Sequence, residues 1–568
     1  MTLAREHDWA APTRAGAVLF ELKASAFRLR RLLRDALVGP KRLRRMDAAL
    51  FATVVASSRT PLWAEVPPAE RALQRGKVQN LRVAARHLDR TLLDAGAVFS
   101  FWKQLGRASR ARGFARGRML REGCIVPATG GGLCQLSNAL YDVALKAGCE
   151  IVERHAHSRR VPGSLAASGR DATVAWNYVD LRFASERALF LRVRLDARDL
   201  IVELLAQGGA AAREREIAPG ADSRRDAASC ESCDETSCFR HGGAASEGHR
   251  AFLVDEFWPE FDSHIAANRH DADRLFLPLD GKSWHRPQYG WSTDGFASVS
   301  SATLATLARA TLMRGTEQGP KRRHLELRTA EALAGRFAAM LEADATELCV
   351  TQALLPYLWR DGHLGGRRFS VLMTRLPMME LQARLDIAAH RHPERKTLAD
   401  FRADPALVHA ESKALAAAQA VVTPHSDIAA LFGGRAVRLD WKTPAQRFAH
   451  APASRRIAFP GPAIARKGAY EVREAARALD LEVALLGSDL EGTGFWNGVR
   501  TTRNFDGVSA FVQPALIEDK PRRLLAALAS GIPVVATREC GIAPQDGLTL
   551  VPAGDTAALI TALTALDR

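Results

Sequence analysis

From residue 249 to residue 568 the chain repeats one pattern, an apolar run of a few residues followed by a longer amphipathic stretch. AFLVDEF, ELCVTQALL, RFSVLMTRL and AQAVVTPH come first; RRIAFPGP, LEVALLG, VSAFVQPA, GIPVVAT and LTLVPAG follow Asp440. Short apolar runs of this kind suit strands buried on both faces, and amphipathic helices such as 467–478 and 521–530 suit the layers that cover them. The pattern predicts parallel sheets in doubly wound folds. Two such halves, 249–440 and 441–568, meet near LDWKTP at 439–444. Twin Rossmann-like domains facing a cleft are expected, with ligands beyond the carboxyl ends of the strands.

The first 248 residues have a different texture. Residues 62–207 alternate helix-like segments and Gly-rich turns with runs such as TVAWNYVDLRF and LFLRVRLDA, which read as strands of a partly exposed sheet in an α+β domain. Residues 208–248 are polar and small, a linker carrying a cysteine cluster, and 1–61 form a basic amphipathic segment. A multidomain chain is consistent with 568 residues and 47% apolar content.

The net charge of +16 calls for an anionic partner or surface. It is densest in FELKASAFRLRRLLRDALVGPKRLRRM, residues 20–46, where Phe27, Leu29, Leu32, Leu33 and Leu37 alternate with Arg28, Arg30, Arg31 and Arg34. That spacing fits a basic amphipathic helix on anionic lipid, and equally a solvated helix packed on its own domain. No zinc-finger pair, aromatic RNA-binding signature or helix-turn-helix pattern accompanies the charge, so a nucleic-acid partner is not expected. No apolar run approaches the roughly 18 residues of a membrane span. The amino-terminal residues lack a secretory apolar core, and the cysteines do not form a disulfide framework. A cytoplasmic location is expected, with peripheral contact at the inner face of a membrane.

GGGLCQLSNALYD, residues 130–142, leads three glycines into a helix opened by Cys134. A helix N-terminus favours thiolate. His155 and His157 follow in EIVERHAHSRRVPGS, and Asp171 in GRDATV, so a Cys–His–Asp nucleophilic arrangement is one reading. The other is a structural cysteine beside histidines that join Arg154, Arg159 and Arg160 in an anion-binding surface. In the linker, Cys230, Cys233, Cys238 and His241 have the spacing C-x2-C-x4-C-x2-H. Four such ligands can close a tetrahedral zinc site, with an iron–sulfur cluster as the second choice and incidental thiols in a disordered linker as the competing reading.

The run FSFWKQLGRASRARGF, then REGCIVPATGGGLCQLSNALYDVALKAGCEIVERHAHSRRVPGS and GRDATVAWNYVDLRF, resembles the VanW-like family. The resemblance spans roughly 62–207 and places Cys134, Gln135, His155, His157 and Asp171 on the family pattern. It implies a cell-envelope context without naming a reaction.

VSAFVQPALIEDKPRRLLAALASGIPVVAT, residues 508–537, and FPGPAIARKGAYEVREAARAL, residues 459–479, resemble the donor-binding half of retaining GT-B glycosyltransferases. The resemblance implies a nucleotide sugar held in the cleft by the second half. Lys467 falls on the family lysine for the diphosphate, with Gly468 beginning the next helix, and Glu518 on the first of two spaced glutamates contacting the donor sugar. Arg466 and Gly531 complete the implied donor site, and His425 in VVTPHSD lies where it can line the cleft. The resemblance requires no divalent metal for transfer. Pro462 stands where the family has arginine and Ala526 where it has the second glutamate, with Arg466, Arg522 and Arg523 as candidate replacements for the missing cation.

These readings converge on a VanW-like domain joined to a hexosyl- or glycosyltransferase that moves sugar from a nucleotide-sugar donor to a glycan or lipid-linked acceptor in envelope or polysaccharide assembly. The alternatives are a non-catalytic assembly scaffold with a degenerate GT-B domain, and a Cys134-dependent thiol enzyme of acyl or peptide chemistry.

Overall fold

The computed structural model describes residues 14–47, 50–121, 124–157, 164–208, 247–316, 319–452, 454–485, 490–505 and 507–566. The linker ligands Cys230, Cys233, Cys238 and His241 lie outside the described residues. The chain forms two compact units, one comprising 1–249 with 342–346 and 361–367, the other the remainder.

In the first unit, Thr53–Pro61, Asp199–Ala206, Leu189–Leu195 and Thr91–Leu93 make a four-stranded antiparallel sheet in that spatial order. Helices Arg71–Leu88 and Leu133–Lys146 bury Leu81, Leu88, Leu136, Leu140 and Val143 in the same core as Leu191, Leu200, Val202 and Leu204 from the sheet. Each such side chain contributes about 1.5–3 kcal/mol on burial. Thr53–Pro61 pairs along its length with Asp199–Ala206, so the sheet begins before residue 62. The run TVAWNYVDLRF is strand only at its last two residues, where strand Arg182–Ala184 begins, because residues 175–179 turn back on themselves through an Ala175–Val179 bridge. Arg182–Ala184 is the middle strand of a three-stranded sheet, between Val98–Ser100 and Glu150–Glu153. A hairpin, Arg116–Arg121 with Cys124–Thr129, delivers the chain to the glycine corner.

In the second unit every apolar run named above contains a strand. The first half has seven parallel strands. Numbered within the half, they are His249–Leu253, Arg274–Leu277, Ser298–Ser301, Ala345–Thr351, Arg368–Leu372, Ala420–Thr423 and Ala436–Arg438, in the spatial order third, second, first, fourth, fifth, sixth, seventh. The second half has six parallel strands, Arg456–Phe459, Glu482–Leu485, Thr501–Thr502, Ala510–Gln513, Val534–Ala536 and Leu548–Leu550, in the order third, second, first, fourth, fifth, sixth. The first strand stands beside the fourth in both, so each half has the switch point of a Rossmann fold, the crevice where such sheets bind ligands. Within this unit the halves are joined by Arg522, whose guanidinium grips Glu260 at 2.5 and 2.6 Å.

Candidate functional site

The first constellation forms around the glycine corner. Gly130 and Gly132 have φ of 79° and 95°, and a Cβ on Gly131 would stand 2.4 Å from the carbonyl oxygen of Gly117. Glycine is therefore required three times in succession, twice by backbone conformation and once by close approach. Gly132 caps the helix Leu133–Lys146, so Cys134 is its second residue rather than its first. The helix holds the segment opposite through Asn138, whose Oδ1 accepts from the Ala172 N–H at 2.7 Å, and Ser137, whose hydroxyl donates to the Ala172 carbonyl.

That segment carries Asp171, which is fully buried. Its carboxylate accepts from the backbone N–H of His157 at 2.8 Å and from Nδ1 of the His157 ring. The ring also hydrogen-bonds the thiol of Cys134, whose Sγ lies 3.7 Å from Thr173 Oγ1. Burial alone raises the Cys134 thiol, but His157, the Val174 N–H and Thr173 outweigh it and hold the thiol below its ordinary range. Burial likewise lowers His157, and the hydrogen bonds to Asp171 and Cys134 reverse this, pushing it up to about 10. The favoured state is a thiolate–imidazolium pair oriented by a buried carboxylate, the arrangement that activates a cysteine nucleophile.

Cys134, His157 and Asp171 thus come together, and His155 does not join them. Its Nε2 lies 3.3 Å from Glu153 and its side chain is half-exposed. Gln135 turns aside to accept from Lys77 Nζ at 3.0 Å and to donate to Thr60 Oγ1 and the Pro61 carbonyl, both at 2.9 Å. Thr173 and Asn138 complete the site; the first is two residues beyond Asp171, the second one helical turn beyond Cys134.

The second constellation lies at the carboxyl ends of the strands where the halves of the second unit face each other. Lys467 Nζ donates to Glu518 Oε2 at 3.0 Å and to the Ile517 carbonyl at 2.9 Å. Glu518 also accepts from the Lys520 N–H at 2.8 Å and from Gln513. Gly468, at φ 86°, turns the chain into helix Ala469–Leu479, where a Cβ would meet the Pro514 carbonyl oxygen at 2.4 Å. His425 is buried and donates from Nε2 to the Glu518 carbonyl at 3.0 Å, while its Nδ1 accepts from the Ile428 N–H. Burial lowers its pKa. It supports the Glu518 loop rather than presenting a free ring to the cleft.

The guanidinium groups of Arg323, Arg466 and Arg375 lie 4.1, 5.0 and 5.3 Å from the ring centre of Phe401. Arg375 Nε donates to Asp519 at 2.6 Å. Burial opposes the charge of Asp519, and Arg375 and Lys467 overcome it, holding the carboxyl down at about 2. Arg375 and Asp519 went unmarked by sequence reasoning, although one ends the run RFSVLMTRL and the other directly follows Glu518.

Of the three candidate replacement cations, Arg466 is the one in this cluster. Arg522 is committed to Glu260, and Arg523 donates to the Pro460 carbonyl. Gly531 does not belong to the site. It sits at φ 72° between helix Arg522–Ala529 and strand Val534–Ala536, at the amino end of that strand, where its N–H bonds the Leu528 carbonyl. Its part is to end the helix. Ala526 is fully buried, so no polar group replaces the absent glutamate there.

Together, fold and geometry define a chain of two parts, an α+β domain built around a Cys–His–Asp site and a doubly wound pair with the architecture of GT-B glycosyltransferases. Residues 76–205 match the family model described as VanW like protein, and this segment is a VanW domain. The chain is 30% identical over 152 residues to Uncharacterized protein YoaR of Bacillus subtilis (strain 168), covering 26% of this chain and 49% of that protein. It is 31% identical over 138 residues to Vancomycin B-type resistance protein VanW of Enterococcus faecalis (strain ATCC 700802 / V583), covering 23% and 50%. It spans about half the length of the curated relatives it matches. Among solved structures, sucrose-phosphate synthase from Thermosynechococcus elongatus is similar at 15% identity and a TM-score of 0.36, covering 56% of this chain and 90% of that one. WaaG, a glycosyltransferase involved in lipopolysaccharide biosynthesis, is similar at 15% identity and a TM-score of 0.33, with 56% and 90% covered. Anabaena Alr3699/HepE, solved with UDP and glucose, is similar at 13% identity and 0.31, with 56% and 89% covered.

Proposed function

We propose that the VanW domain catalyses cysteine-dependent acyl transfer on an amide or ester, with cell-envelope peptides as the substrate class. The observation that carries this reading is His157 bonded on one side to Cys134 and on the other to the buried carboxylate of Asp171. In the reaction the Cys134 thiolate attacks the acyl carbonyl carbon. A carbon–sulfur bond forms, the bond to the leaving amine or alcohol breaks, and the leaving group takes the proton from His157. An incoming amine or water then gives its proton to His157 and releases the acyl group, restoring the thiolate. A nitrophenyl ester tests this. The full chain should release nitrophenol and accumulate a thioester on Cys134 visible by mass spectrometry, and Cys134→Ala should do neither. Equal turnover by the Cys134→Ala chain would overturn the proposal.

A second reading concerns the other unit and rests on the Lys467–Glu518 pair at the strand ends of the cleft. It is transfer of a sugar from a nucleotide-sugar donor, with Lys467 and Arg466 meeting the diphosphate and Glu518 the sugar, in envelope or polysaccharide assembly. Protein cations facing the leaving diphosphate supply the charge such a transfer needs. Release of nucleoside diphosphate from a nucleotide sugar, lost in Glu518→Ala, is the expected result. No release from uridine, guanosine, adenosine or thymidine donors would leave this unit as a binding scaffold.

A further inference from the structure

The helix Arg14–Val38 meets its own domain with polar side chains and turns its leucines outward. Ala24, Arg28, Arg31 and Asp35, spaced four, three and four residues apart, share the docked face. Arg31 forms a forked ion pair with Glu153, one contact at 2.7 Å, and donates to the Tyr178 carbonyl at 3.1 Å. Arg28 Nε donates to the Trp176 carbonyl at 2.9 Å, and Arg182 pairs with Asp35 at 2.5 Å. These contacts fix the helix in rotation. On the opposite side Leu22, Leu29 and Leu33 stand 64%, 59% and 61% exposed, with Leu19, Leu32 and Leu37 beside them at 53%, 56% and 84%. Exposed Lys23, Arg30 and Arg34 run along one border of this face, and exposed Lys41 and Arg42 follow the helix.

We propose that this face is a docking surface for an anionic lipid bilayer, with the helix lying in the plane of the headgroups. The charge pattern chooses the occupant. A leucine face bordered by lysine and arginine complements acyl chains beneath anionic headgroups. A second copy of the helix would set Lys23, Arg30 and Arg34 against the same cations, and Asp35 is already committed to Arg182. The arrangement is peripheral, since no described helix is long and apolar enough to cross a membrane. At 1.5 Å per residue, 25 residues present a strip about 37 Å long, and the ion pairs on its other side hold the domain at the surface.

Vesicle sedimentation of the full chain tests the proposal. The chain should bind phosphatidylcholine vesicles containing phosphatidylglycerol and leave vesicles of phosphatidylcholine alone in the supernatant. Raised salt should weaken binding. Leu29→Gln with Leu33→Gln should reduce it at least ~10-fold while leaving the thermal midpoint unchanged, because both side chains are exposed. Arg30→Glu with Arg34→Glu should reduce it similarly. Three results overturn the proposal: no binding to the anionic vesicles, binding untouched by the leucine changes, or a chain dimeric in solution that these changes render monomeric.

Discussion

Asp171 accepts two hydrogen bonds from one residue, the backbone N–H and the ring Nδ1 of His157. The pair fixes both the position of the imidazole and which nitrogen faces Cys134, so the carboxylate acts through His157 without touching a substrate. Asp171→Asn preserves size and packing but removes the charge that sustains the imidazolium. Ester turnover by Cys134 should fall by roughly 10⁴-fold, the loss typical when a triad carboxylate is neutralised. His155→Gln should change turnover less than twofold, because His155 pairs with Glu153 outside the constellation. Parallel kinetics on the two variants check both statements.

The ion pair also predicts a pH dependence with two different limbs. Cys134 lies below its ordinary range and His157 is pushed up to about 10, so thiolate and imidazolium coexist from the lowered thiol pKa to about pH 10. Iodoacetamide labelling of Cys134 should therefore have its midpoint below the usual thiol value of about 8.5. Acyl transfer should decline as pH rises through 10, when His157 loses the proton owed to the leaving group. Stability follows the same signs: the raised His157 contributes fully below its unfolded value of about 6.5 and loses that contribution through 10. The lowered Cys134 contributes above its unfolded value and loses that contribution as pH falls through its folded one. Cys149 and Cys349, raised by burial to about 11, are internal comparators expected to stay unlabelled at neutral pH. A labelling midpoint for Cys134 at or above 8.5 would contradict the pair.

Gly132→Ala tests whether the glycine corner positions the nucleophile. The new Cβ would lie 2.1 Å from Lys77 Cγ on a backbone at φ 95°, where an L side chain is strained. The cost is about 1–3 kcal/mol, which thermal or urea unfolding of the variant resolves. Because Cys134 is only two residues further along, the variant should also lose Cys134 reactivity. Gly96→Ala is the control, with φ 75° and no heavy atom within 4 Å of its Cβ. It should show backbone strain with no loss of thiol reactivity.

The parallel sheets were legible because strands buried on both faces must be continuously apolar. Edge strands need not be: Ser298–Ser301, Ala436–Arg438 and Thr501–Thr502 end their sheets with largely exposed or half-exposed side chains and went unmarked, whereas LTLVPAG marked the edge strand Leu548–Leu550, and the short interior strand Arg274–Leu277 was also missed. In the VanW domain, TVAWNYVDLRF alternates like a strand, yet its first part is a turn whose Trp176 and Tyr178 carbonyls receive Arg28 and Arg31. Long-range contacts of that kind leave no periodic trace. The histidines show the same limit. A two-residue spacing suggests that His155 and His157 face the same way, but strand Glu150–Glu153 ends before both. Beyond it, His157 follows its own bonds to Asp171. Cys134 was legible because three consecutive glycines mark a corner that few other residues can make.

The cleft of the second unit leads to the last prediction. Lys467 is held by Glu518 and the Ile517 carbonyl, so a nucleoside diphosphate must offer it a better anion than the carboxylate it already has. Arg466 and Arg375, stacked about Phe401, place further positive charge beside it, partly answered by Asp519. A nucleotide that binds here should stabilise the chain by about 2.7 kcal/mol at 100 times its dissociation constant, read as a rise in the thermal midpoint. Lys467→Ala should abolish that rise, while Arg523→Ala should leave most of it, since Arg523 is turned to the Pro460 carbonyl. A panel of uridine, guanosine, adenosine and thymidine diphosphates identifies the base. If none of the four shifts the midpoint, the buried Ala526 and the proline at 462 have cost the cleft its donor, and this unit serves as a scaffold.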